Sequence, residues 1–169
     1  MNELKHIVDS AVNDFLKETP NLLELNVHEQ SISHRIAVHI EKRLHNNMLN
    51  VDCEYNKNLG QPKLIEVDGL GWHERSSCGC HVCLNNNIED LERERAFRPD
   101  IIVHKRNSNA HNKIAVEVKR HKFCPFDEAK LKALTGNRNG YNYSIGVFVY
   151  FPAGKPIYIW YCKGSKIDI

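Results

Sequence analysis

An acid and a base stand two residues apart inside an apolar run, Lys113-Ile-Ala-Val-Glu-Val-Lys-Arg120. Ile114, Val116 and Val118 have the spacing of a strand interior. Alternate residues of a strand share a face, so Glu117 and Lys119 must project side by side. A solvated outer face would account for such a pair, and so would an active site. Asp100 bears on the choice. It opens the run Pro99-Asp-Ile-Ile-Val-His-Lys105, which also reads as a strand, and the turn-rich stretch 106–112 between the two implies a hairpin. The start of one hairpin strand lies near the end of its partner, so Asp100, Glu117 and Lys119 can converge at one end. Two carboxylates are hard oxygen ligands of the kind Mg²⁺ prefers. A lysine beside them can orient or help deprotonate a metal-bound water, or steady a phosphate oxygen. That is equipment for hydrolysing a phosphodiester.

The elements that must position these residues follow from apolar periodicity. Leu4, Ile7, Val8, Ala11, Val12, Phe15 and Leu16 predict a helix over 3–18, which Pro20 ends. Ile32, Ile36, Ile40 and Leu44 predict a second helix starting near Asn26. Residues 50–56 read as a short strand and 63–69 as another. Residues 69–98, rich in Gly, Ser, Cys and Asn, read as an inserted loop with room for one short helix. After the hairpin, 125–134 reads as a helix stopped by Gly136. Strands over 143–151 and 156–162 close the chain. The order predicts a single α/β domain over 1–169, a sandwich with a mixed central sheet.

On these residues the chain resembles the PD-(D/E)xK nuclease superfamily, of the restriction-endonuclease-like fold. The match is Pro99-Asp100 followed by Glu117-Val118-Lys119, and residues 27–151 follow the family's αβββαβ core order. The resemblance implies a Mg²⁺- or Mn²⁺-dependent endonuclease acting on DNA. Asp100 and Glu117 would hold the metal with the backbone carbonyl of Val118, and Lys119 would position and activate the attacking water. Family members often add a glutamate from the first core helix, and Glu29 is the matching residue. At 100° per residue it lies within about 20° of Ile36 and Ile40, on the apolar face. It could instead close a capping box with Asn26 as N-cap. Glu54 is a second auxiliary acid, on one strand face with Asp52, unless it holds Arg98 or Arg106 instead. Lys130 matches a position where some members place a phosphate-contacting lysine, but it reads more simply as an exposed helix lysine. His104 reads as a structural histidine. Many enzymes of this fold act as dimers, so a homodimer is an expectation of the resemblance.

A second cluster lies in the inserted loop. Cys78, Cys80 and Cys83 fall within six residues, and with His73 they form a set suited to a structural, tetrahedral Zn²⁺. His81 and Cys53 are alternatives for the fourth ligand, and free loop thiols are the plainer reading. The N-terminus has no apolar run like a signal peptide, and no segment is long enough to span a bilayer. A cytoplasmic protein without membrane contacts is expected, its six cysteines free or metal-bound. With 23 Lys and Arg against 21 Asp and Glu, net charge is +2, so nucleic acid must be held by a local patch. The basic residues from His104 to Arg106, from Lys119 to Lys122, at Lys130 and Lys132, and at Arg35, Lys42 and Arg43 are the available ones. The rival reading is a catalytically silent nuclease-like module that binds nucleic acid or protein and carries a structural zinc loop.

Overall fold

The apolar stripes form the helices they predict, and a computed structural model shows what each stripe covers. It describes residues 1–25, 27–45, 48–55, 57–59, 61–62, 64–65, 95–96 and 98–168. Helix α1 (Asn2–Glu18) buries Ile7, Val8, Ala11, Val12 and Phe15. The Thr19 hydroxyl donates to the Phe15 carbonyl at 2.8 Å and Pro20 opens a 3₁₀ turn, which together end the helix. Helix α2 (Glu29–Glu41) buries Ile32, Ile36 and Ile40. It begins three residues later than the apolar spacing predicts. His28 is its N-cap and Glu29 its first helical residue, with no side-chain capping bond. Glu29 is therefore not at the third helical position that a capping box requires, and Asn26 lies outside the described residues.

Six strands form one mixed sheet in chain order: β1 (Asn50–Cys53), β2 (Ile101–His104), β3 (Ile114–Lys119), β4 (Ile145–Tyr150), β5 (Ile157–Cys162) and β6 (Ser165–Ile167). All neighbours are antiparallel except β3 and β4, which run parallel. A parallel pair needs a crossover, and helix α3 (Pro125–Thr135) supplies it. The 63–69 run is described only at Leu64–Ile65, which pair with Arg95–Ala96. Residues 69–94 and 97 of the insert, with His73, Cys78, Cys80 and Cys83, lie outside the described residues.

Alternation along the strands divides the core. Ile101, Val103, Val116, Val118, Val147 and Val149 face α1 and α2, whereas Ile102, Ala115, Phe148 and Tyr161 face Leu131 and Leu134 of α3. The result is an α/β/α sandwich. Among the described residues, no helix is long and apolar enough to cross a membrane.

Candidate active site

The hairpin register builds the site. Ile101 pairs with Val116, so Asp100, one residue before β2, falls beside Glu117. Asp100 Oδ2 accepts the Val118 N–H at 2.7 Å, which ties it to the partner strand. Glu117 and Lys119 lie on the face of β3 that α3 covers. Glu117 is fully buried, so the solvated-face reading of this pair is wrong.

Helix α3 supplies what Glu117 meets. Lys130 Nζ lies 2.9 Å from Glu117 Oε2 and 2.6 Å from Asp127 Oδ1. The other Glu117 oxygen, Oε1, is buried and has no hydrogen-bond partner among the described residues. The second Asp127 oxygen, Oδ2, lies 3.1 Å from Lys119 Nζ. Lys119 is also 3.1 Å from Glu29 Oε2, and Glu29 Oε1 accepts the Arg120 N–H. Glu29 thus reaches from α2 to the end of β3. Lys130 is 8% exposed, which corrects its reading as an exposed helix lysine.

Asp127 is the residue that sequence reasoning missed. An acid in the first turn of a helix ordinarily just complements the helix dipole. The signal was its phase: 127, 130, 131 and 134 make one stripe, and Leu131 and Leu134 show that this stripe faces the sheet.

Four carboxylates (Glu29, Asp100, Glu117, Asp127) surround two ammonium groups (Lys119, Lys130), and acid is in excess. Burial lifts Asp100 to about 6 despite Lys119 and Lys130 nearby. Burial, opposed by Lys130 but reinforced by Asp100 and Asp127, raises Glu117 well above the usual carboxylate range. Burial would raise Asp127 too, but its two lysine partners outweigh that and hold it low. For the lysines burial works the other way, and the surrounding carboxylates overcome it to keep both charged.

Asp100 and Lys119 line an open cleft of about 590 Å³, whose rim includes Arg120, His121 and Lys122. Glu54 lines it as well. It leaves β1 in a left-handed conformation (φ 49°), so it does not share a strand face with Asp52. Gln30 donates to Glu54, and Arg98 stands 3.8 Å away. Asp52 instead binds Arg106 and accepts His104 Nε2 at 2.8 Å, which makes His104 structural, as its sequence context implies. Other basic residues are also engaged: Arg43 by Asp14, Arg35 by Glu18 and Lys132 by Glu128.

The fit to a divalent cation rests on the donor set. Among the described residues, no three His, Cys, Asp or Glu side chains form a cage by themselves. A Mg²⁺ site needs fewer, because this ion keeps several waters and takes one or two carboxylates. The unpartnered Glu117 Oε1 beside Asp100 suits that requirement. No protein-family model, curated protein or solved structure matches this chain.

Proposed function

We propose that this chain is a Mg²⁺-dependent endonuclease, able also to use Mn²⁺, that hydrolyses phosphodiester bonds in DNA. The observation that carries this reading is the hairpin register that sets Asp100 beside the fully buried Glu117, with Asp100 and Lys119 lining the cleft. The element order α2-β1-β2-β3-α3-β4, short strand pairs between β1 and β2 aside, supports the resemblance to the restriction-endonuclease-like core. Asp100, Glu117 and the Val118 carbonyl would hold the cation, and Glu29 would support it from α2. A bound cation would neutralise charge developing on the scissile phosphate and its leaving oxygen. Lys119, held between Glu29 and Asp127, presents its ammonium to orient the attacking water. The rim residues Arg120 and Lys122 contact backbone phosphates. Cys78, Cys80 and Cys83, with His73 as the preferred fourth ligand, would suit one structural Zn²⁺, and metal analysis should find one zinc per chain that Cys80→Ser removes.

A second reading has its own support. Lys119 and Lys130 are already satisfied by internal acids, as they would be in a silent nucleic-acid or protein-binding module. Cleavage separates the two. Supercoiled plasmid, linear duplex, single-stranded DNA and RNA are incubated with Mg²⁺, Mn²⁺ or EDTA. Cation-dependent cutting of DNA that falls at least 100-fold in Lys119→Ala is expected. Absence of cutting on every substrate, together with no cation binding that depends on Asp100 and Glu117, would leave the binding module.

A further inference from the structure

We infer that Asp127 and Lys130, one turn apart on α3, are positioning residues of this site: Asp127 anchors the Lys119 ammonium, and Lys130 holds Glu117 by one oxygen so that the other stays unpartnered. The inference rests on the endonuclease reading above, but its grounds are separate. Position 127 is 4% exposed and position 130 is 8% exposed, on the stripe that Leu131 and Leu134 fill with apolar side chains. Burying two charges there is costly, and well-packed apolar residues at such positions are often neutral or stabilising by comparison. Stability alone therefore gives a weak reason for an acid and a base at these places.

Geometry gives a better one. Asp127 faces two lysines from different elements, with Oδ1 2.6 Å from Lys130 of α3 and Oδ2 3.1 Å from Lys119 of β3 as an ion pair rather than a hydrogen bond. It is the joint between them. Lys119 is thereby fixed from both layers, by α3 through Asp127 and by α2 through Glu29. Lys130 spends its ammonium on Glu117 Oε2 and leaves Oε1 without a partner. Its burial keeps that ammonium away from any substrate phosphate, so it acts through Glu117. The motif read from the hairpin alone, Asp100 with Glu117-Val118-Lys119, then extends to Asp127 and Lys130.

Two measurements test this, one of them independent of cleavage. In EDTA, urea unfolding of Asp127→Asn, Lys119→Met and the double variant should be non-additive, the double losing at least tenfold less in folding constant than the two single losses combined. In cleavage assays, Asp127→Asn and Lys130→Met should each lower kcat by 10- to 100-fold with KM changed less than threefold. Glu128→Gln, which breaks the half-exposed pair with Lys132 on the same helix, should leave kcat within twofold. If Asp127→Asn does not fold, Asp127→Glu keeps the charge, displaces it by one methylene and carries the same expectations. Additive stabilities, or folded variants that cut like wild type, overturn the inference while the endonuclease reading stands. A wild-type chain that cuts nothing and binds no cation through Asp100 and Glu117 overturns both.

Discussion

Asp100 stands where the chemistry and the cost of burial meet. Its carboxyl ionises near 6 in the folded chain, against a usual value near 4, because burial outweighs Lys119 and Lys130. The folded chain therefore holds this proton more tightly than the unfolded chain does. By linkage, ionising Asp100 lowers stability, a cost absent below about pH 4 and complete above about pH 6. The metal-free protein should accordingly lose stability across that window. Asp100→Asn should flatten the slope, as chemical unfolding at several pH values will show; an equal slope in the variant would mean that another group titrates in this window. The acids at 100 and 117 were legible because strand alternation and hairpin pairing are short-range rules that place side chains directly. Asp127 and Lys130 were not, because each is an ordinary residue at its position in a helix. Only the packing of α3 on the sheet gives them each other and Glu117 as partners.

At the scale of elements, the site depends on how closely α3 lies against β4. Gly146 permits that approach: a Cβ there would stand 3.0 Å from Thr135 Cγ2 and 3.3 Å from Leu131 Cδ2. Leu131 and Thr135 sit on the helix that carries Asp127 and Lys130. Gly146→Val should therefore push α3 outward and cost about 1–3 kcal/mol, the usual penalty of overpacking, as read by urea unfolding. Because the helix moves as a unit, the same variant should also lose DNA cleavage. Full stability in Gly146→Val would show that α3 has room to spare. The stripes of α1 and α2, the hairpin and the crossover helix were all legible, since each is a periodic apolar pattern with a clear stop. The start of α2 was not. Asn26 offers a good local cap, but the pull of Lys119 and the Arg120 N–H on Glu29 is tertiary. Strand β6 also escaped notice, being three residues paired to β5 across a Gly164 turn (φ 78°).

Over the whole molecule, charge is nearly balanced, so attraction to a polyanion must come from where the surface cations lie. Several cations expected on the surface are consumed internally or by neighbouring acids, among them Lys119, Lys130, Arg43 and Arg106. Arg120 and Lys122 stand on the cleft rim, next to the acids that would do the chemistry. Each phosphate contact releases counterions and contributes about 0.9 to the slope of log affinity against log salt. Replacing both residues with alanine should therefore weaken DNA binding and lower that slope by about 2, measured by fluorescence anisotropy over a salt series in Ca²⁺. Lys163 and Lys166 provide the control. They are exposed at and beside β6, the sheet edge opposite β1, so their removal should leave the slope unchanged. If the two pairs weaken binding equally, attraction is spread over the surface and the cleft rim has no special part in holding DNA. A loss confined to Arg120 and Lys122 would tie the phosphate contacts to the same end of β3 that carries Glu117 and Lys119.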